Sequence, residues 1–549
     1  MTTTSASAIR PAGEQKESWV PMITIALGQM LMSFNVASLP VAMGGMVKSF
    51  NVPPTTVATG IVMYSMLVAG FVMLGAKLNQ RFGAVKIFRA VVFLFGIAQV
   101  VMTFSPNASF MILAQGMSGA AGAALVPSLV ALIAENYRGT QQATALGALG
   151  SARAGAGVAA FLIGGILGTY IGWRPVFGIL IVLSAVVFVL SFRLKPDEGR
   201  PDVRIDLVGV VLAASAIVLI SFGFNNLNRW GLGLATSNAP FDILGMSPAP
   251  AMIVLGIVLG QAFLMWTHRR QAAGQTPLLA LEVIDSPLER AAVYAMFAVV
   301  ALEAMLNFSV PLYIQIVQGQ SPIATAVAML PFNLTVFFAA MLIVRFYTRL
   351  TPRQIGRSGF ILCTIALLWL AFVVHNDWSA LPVLLGLFIF GVGQGSLVTL
   401  LFNVLVTASP KELAGDVGSL RGTTNNLAAA VGTAVAGALL VGLLSATVLR
   451  NIATNPILPP EIQAELNLEN INFISNDRLK TVLESTSATP AQLAEAVNVN
   501  TESRLRALKI GLLVMAGIAL LAIFPAGQLP NYIPGEIPDP SPRPRGKRE

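Results

Sequence analysis

The chain has 549 residues, of which 55% are hydrophobic and 11% charged, and its mean hydropathy is +0.75. Soluble domains carry about a quarter of their residues as Asp, Glu, Lys or Arg, so this composition excludes a water-soluble globular protein, and it also excludes a disordered chain, which needs low hydrophobicity and high charge. The net charge of +9 does not point to nucleic acid, because basic residues also hold the cytoplasmic loops of a polytopic membrane protein inside.

A helix needs roughly 20 apolar residues to cross the hydrocarbon core. Apolar runs between polar breaks predict fourteen spans, near 20–42, 55–76, 90–105, 109–134, 142–170, 175–192, 207–225, 250–267, 291–316, 323–344, 358–375, 380–407, 416–446 and 508–526. The runs are continuous and lack the alternation of an outer-membrane barrel. The first follows a polar stretch and lacks a small-residue cleavage site, so it reads as a retained span.

With the amino terminus inside, the inner loops hold Lys77, Arg81, Lys86 and Arg89; Arg138; Arg193, Lys195, Arg200 and Arg204; Arg269, Arg270 and Arg290; Arg345, Arg349, Arg353 and Arg357; and Lys411. The short outer loops hold Lys48, Arg174 and Arg229. This alternation predicts an even span count with both termini in the cytoplasm. The polar segment 451–503 has helix-like stretches at 460–468 and 489–496 and is placed outside, between the last two spans. The tail from Pro530 is Pro-rich and reads as disordered.

The first inner loop reads A-K-L-N-Q-R-F-G-A-V-K over 76–86. Gly83 permits a tight turn that bulkier residues cannot make. Further along come Y-R-G at 137–139 with Ala143, G-G at 164–165 before G-W-R-P-V-F at 172–177, and P-L-Y-I-Q at 311–315 before Gly319, Ser321-Pro322 and Leu330-Pro331. In this order on fourteen spans, the chain resembles the major facilitator superfamily, in its 14-span drug:proton antiporter branch, over about residues 20–526. Within the loop signature Leu78, Arg81, Gly83 and Lys86 match the family pattern. Gln80 stands where that pattern has an Asp that pairs with basic groups in one conformational state.

The resemblance implies an all-α polytopic membrane fold: two six-helix bundles at 19–195 and 288–526, a two-helix linker region at 196–287, and cytoplasmic tails at 1–18 and 527–549. It implies a substrate site at the midplane between bundles that rock, a bacterial plasma (inner) membrane, and for some related exporters a periplasmic adaptor. The family's embedded chemistry is not carried over. Its first-span Asp falls near Leu31, its fourth-span Arg and Gln fall on Gln115 and Ser118, and its fifth-span Gly-Pro falls on Ala160-Phe161.

A proton-coupled carrier needs a titratable group inside the bilayer. Glu303 and Arg153 lie near mid-depth of the ninth and fifth spans and are the candidate coupling or substrate residues, facing the cavity or pairing across it. Asn35, Gln115, Asn307 and Asn425 are the polar candidates, although such side chains equally serve as interhelical contacts. Arg421, near the inner end of the thirteenth span, is expected to snorkel to the interface. Cys363 reads as a small buried hydrophobe, and His268 and His375 fall at opposite faces, so no metal site, cofactor or catalytic set is expected. The expected function is a secondary transporter exporting a small amphipathic or lipophilic solute, for which a proton is the candidate coupling ion. The alternatives are an uncoupled facilitator of the same fold and a non-transporting receptor or scaffold that binds through 451–503.

Overall fold

The structure is a computed structural model that describes residues 18–531 except 138, 196, 376, 379, 409–413, 454–475 and 485–488. Among the described residues fourteen long helices follow one another: α1 (Val20–Phe50), α2 (Pro54–Phe82), α3 (Ala84–Thr103), α4 (Ala108–Asn136), α5 (Gly139–Tyr170), α6 (Arg174–Ser191), α7 (Leu207–Trp230), α8 (Pro248–Ala272), α9 (Pro287–Leu312), α10 (Pro322–Leu342), α11 (Pro352–Val373), α12 (Leu381–Ala408), α13 (Ala414–Ala453) and α14 (Pro490–Leu521). Thirteen are long and apolar enough to cross a membrane, and α13 packs among them against α2, α7, α9 and α14. Among the described residues there are no strands, only isolated bridges from Met246 to Leu234 and Ile243.

Helix starts follow local chemistry. Proline opens α2, α8, α9, α10, α11 and α14, at a position whose N–H has no helical partner to lose. Ser286 with Glu289, Thr351 with Gln354, and Thr489 with Gln492 form reciprocal capping boxes.

Several helices outrun the apolar stretches that predict them. α1 continues to Phe50 instead of 42, and α2 to Phe82 instead of 76. The last helix starts at Pro490 instead of 508, so the stretch at 489–496 opens the final span helix instead of standing apart in a loop. Hydropathy marks the lipid thickness, whereas a helix continues until a backbone signal stops it. Those signals are Asn51 at φ +53° and Gly83 at φ +93°. The stretch 460–468, residues 1–17 and 532–549 of the tails, Arg138 and Lys411 lie outside the described residues.

α1–α6 pack as one group and α9–α14 as another. Small residues bring backbones together: a methyl on Gly119 of α4 would stand 2.5 Å from the Tyr64 carbonyl oxygen, and one on Gly432 of α13 would stand 2.6 Å from that of Ala301. The groups meet along α2–α13 and α5–α10, with α1 touching α9 and α10. α7 and α8 form a separate pair, and α7 leans on both α2 and α13. Asp206 fixes that pair. Its carboxylate caps α7 at Gly209 N (3.1 Å), accepts from Trp266 Nε1 of α8 (3.1 Å) and faces Arg270 Nε at 3.5 Å.

Candidate substrate pathway between the helix groups

The end of the molecule that carries the α2–α3 turn and most of the basic residues is called the basic face below, and the opposite end the far face. At the far face the two groups are closed. The Ile323 N–H at the start of α10 donates to Thr169 Oγ1 of α5 (3.1 Å). A methyl on Gly168 would stand 3.2 Å from Pro322.

A second far-face contact joins α1 to the π-helical turn Tyr313–Val317 that extends α9. Gln315 Oε1 accepts from Gly44 N (2.7 Å), and its Nε2 donates to the Pro40 carbonyl (3.2 Å). Gly44 and Pro40 are four apart, the spacing at which an α-helix pairs backbone groups. One side-chain amide of the second group thus clasps a single turn of the first. Gly44 leaves the room, since a methyl there would stand 2.6 Å from Gln315 Oε1.

At the basic face α2 and α13 stay together. Thr423 Oγ1 donates to the Ala69 carbonyl (3.3 Å), and Lys77 Nζ lies 4.0 Å from Asp416 Oδ1, which also accepts from Ala280 N (3.2 Å). The α5 side differs. Nothing lies within 4 Å of where a side chain would begin on Gly150, Gly155 or Gly157, and Ser151 and Arg153 are exposed. The molecule is therefore closed at the far face and open along the basic half of α5.

The α2–α3 turn is built differently from its resemblance. The segment after α6 lies over it: Asp197 accepts from Ala84 N and from Val85 N (3.1 Å), and Arg200 N donates to the Gln80 carbonyl (2.8 Å). A carboxylate at the first N–H groups of a helix offsets its positive end. Asp197 supplies there the acidic group that Gln80 does not. Of the motif residues, Leu78 and Arg81 are half-buried, Gly83 is buried, and Gln80 and Lys86 are exposed. No sequence signal near the loop announces Asp197.

The polar candidates separate into two kinds. Asn35 and Gln115 are fully buried and bond each other reciprocally, at 3.0 and 3.3 Å, inside the first group. They hold α1 to α4 and do not face the gap. Asn307 and Asn425 each keep a buried side-chain oxygen with no hydrogen-bond partner.

Glu303 turns toward α12, where Gln394 Nε2 donates to it (3.2 Å) and to the Val299 carbonyl (2.9 Å). No ion pair joins it to Arg153 among the described residues. Arg421 is half-buried over the Phe402 ring of α12, 3.6 Å from its centroid.

Residues 25–433 match the family described as Major Facilitator Superfamily. Relatives include the multidrug efflux pump LfrA of Mycolicibacterium smegmatis, 22% identical over 434 residues (78% of this chain, 82% of the relative). The tetracenomycin C resistance and export protein of Streptomyces glaucescens is 24% identical over 433 residues (78% and 77%). The methyl viologen resistance protein SmvA of Salmonella typhimurium is 26% identical over 396 residues (71% and 75%). Among solved structures, a bacterial homologue of the human lysosomal transporter Spinster, inward-facing and unoccupied, shares the fold with TM-score 0.57 at 15% identity (94% of this chain, 98% of that one). The peptide transporter POT in complex with sulfate does so with TM-score 0.58 at 14% identity (94% and 96%).

Proposed function

This chain belongs to the Major Facilitator Superfamily, and from that premise we propose that it carries a small amphipathic or lipophilic solute out of the cytoplasm by alternating access. It is a transporter and not an enzyme, and its relatives are efflux and resistance pumps. The observation that carries the reading is the asymmetry of the two ends: a far face sealed by Gln315 and Thr169, and an open basic half of α5.

Basic loops stay on the cytoplasmic side, so the basic face is placed in the cytoplasm of a bacterial cell, with both termini, and the far face outside. The described state then awaits solute from within. The units that rock are 19–195 and 288–526, with 196–287 as the linker between them. A periplasmic adaptor, as some exporters use, is a further candidate partner.

Glu303 is the group we assign to proton coupling. It lies near the middle of the continuous helical run Pro287–Val317, and the neutral amide of Gln394 holds it. Protonation removes a charge whose presence in the bilayer interior is costly, and a group that gains and loses charge there biases which state is favoured. The test uses proteoliposomes, a panel of amphipathic dyes and an imposed proton gradient. Glu303→Gln is expected to abolish gradient-driven accumulation while leaving downhill flux. Undiminished gradient-driven transport by the variant would overturn the assignment of Glu303. Absence of flux for every solute in the wild type would overturn the transporter reading itself.

A further inference from the structure

We infer that the segment 231–247 between α7 and α8 lies in the membrane surface at the far face, with its apolar tip among the lipid chains, where it anchors the α7–α8 pair. The inference goes beyond the transporter reading and rests on the membrane spans alone.

The segment joins two spans directly, since the apolar stretches of α7 and α8 are Leu207–Leu227 and Pro248–Ala272. It therefore starts and ends near the membrane boundary. Between those points it folds on itself. Ile243 and Met246 exchange both backbone hydrogen bonds, each 3.0 Å, around Leu244 and Gly245. Ala235 N donates to the Gly245 carbonyl (3.0 Å), Ser247 N to that of Gly233 (2.8 Å) and Thr236 N to that of Trp230 (3.0 Å). Asp242 Oδ1 accepts from Gly245 N (2.8 Å). Gly231, at φ +99°, permits the fold-back, because a methyl there would collide with the Leu234 carbonyl oxygen. Backbone groups paired in this way can leave water without stranding a donor or acceptor.

The tip is apolar where its backbone favours a polar residue. Leu244 and Gly245 have φ +55° and +79°, the left-handed conformation of a two-residue hairpin turn. In such a turn the first position usually holds Asn, Asp or Gly, which tolerate that backbone. Here it holds a leucine that is 95% exposed. Leu232, Leu234, Phe241, Ile243 and Met246 are exposed with it. Asp242 is the only charged residue from 231 to 247, and its carboxylate is committed to the turn. A second turn, closed by Ala239 N on the Thr236 carbonyl (3.0 Å), carries the exposed polar residues Thr236, Ser237 and Asn238. The segment thus has one apolar bend and one polar bend.

An exposed apolar patch calls for a cover. α8 starts one residue after the patch and turns Val254, Leu255, Ile257 and Val258 outward as an exposed apolar side. On a spanning helix that side faces lipid. The patch is continuous with it, and this continuity names lipid as the occupant. Apolar side chains beside a polar rim bind at the boundary between head groups and acyl chains. α7 leans on both α2 and α13, so an anchor at its far end holds the pair at one depth against both helix groups.

The experiment places the full chain in phosphatidylcholine nanodiscs with nitroxide labels on introduced cysteines. The native Cys363 is buried, and the unsubstituted chain gives the labelling background. The labelled variants are Phe241→Cys, Leu244→Cys and, for the polar bend, Ser237→Cys. Power saturation compares collisions with oxygen, which concentrates in lipid, and with a neutral nickel chelate, which stays in water. The labels at 241 and 244 are expected to collide more with oxygen than with the chelate, and the label at 237 to show the reverse order. Phe241→Cys keeps Leu244 in place, so it reports on the native turn. Chelate collisions that exceed oxygen collisions at both 241 and 244 place the tip in water and overturn the anchor. Labels shielded from both reagents mean that protein covers the tip, which overturns it equally, and dipolar broadening at full labelling would identify that protein as a second copy of the chain.

Discussion

Asn35 and Gln115 exchange two hydrogen bonds while fully buried. Removing one partner of such a pair strands the other, at a cost of about 1–3 kcal/mol. We predict that Asn35→Ala and Gln115→Ala each destabilise by that amount, and that the double variant costs clearly less than the sum of the two. Thermal unfolding in detergent checks this, and an additive result would show that the two amides act separately. Asp197 is the other residue whose role is local. Asp197→Ala should cost about 1 kcal/mol, the usual loss of a cap, because Ala84 and Val85 at the start of α3 would lose their acceptor. Neither role could be read along the chain. Asn35 and Gln115 are polar letters in apolar runs, and such a run gives depth but not the direction a side chain faces. Asp197 stands more than a hundred residues from the turn it caps.

The turn of α1 from Pro40 to Gly44 and the π-helical end of α9 make one device. P-L-Y-I-Q is visible in the sequence, yet nothing in it says that the last residue reaches across to another helix. Gln315→Leu removes both hydrogen bonds and leaves the far-face contact to Thr169 and Pro322 alone. A single-cysteine reporter on the far half of α1 should then react faster with an impermeant thiol reagent added from outside, by about tenfold if two neutral hydrogen bonds are lost. Unchanged labelling would mean that the clasp does not hold the far face shut. Gly44→Ala should act in the same direction through crowding.

For the whole molecule, closure at one end can be trapped. The chain has one cysteine, Cys363, and it is buried, so introduced pairs can be read without interference. Gly168→Cys with Pro322→Cys places two thiols on positions whose β-carbons would stand 3.2 Å apart. Oxidation is expected to stop transport and reduction to restore it, as measured by dye flux in vesicles. Full flux in the oxidised protein would mean that the far face need not open. At this scale the sequence was most informative, because runs of twenty apolar residues leave few choices of fold. Glu303 and Arg153 also stood out, as charges in apolar surroundings. What they face did not, since that depends on how helices rotate against each other.

Phe224 of α7 packs on Val62 of α2 and on Ala430 and Ala434 of α13. The α7–α8 pair therefore plugs one of the two seams between the halves, and lipid cannot approach along it. Among the described residues the opposite flank, beside α5 and α10, has no such cover. An oily molecule dissolved in the leaflet on the basic side would find its doorway on that flank, reached sideways out of the membrane without first passing through water.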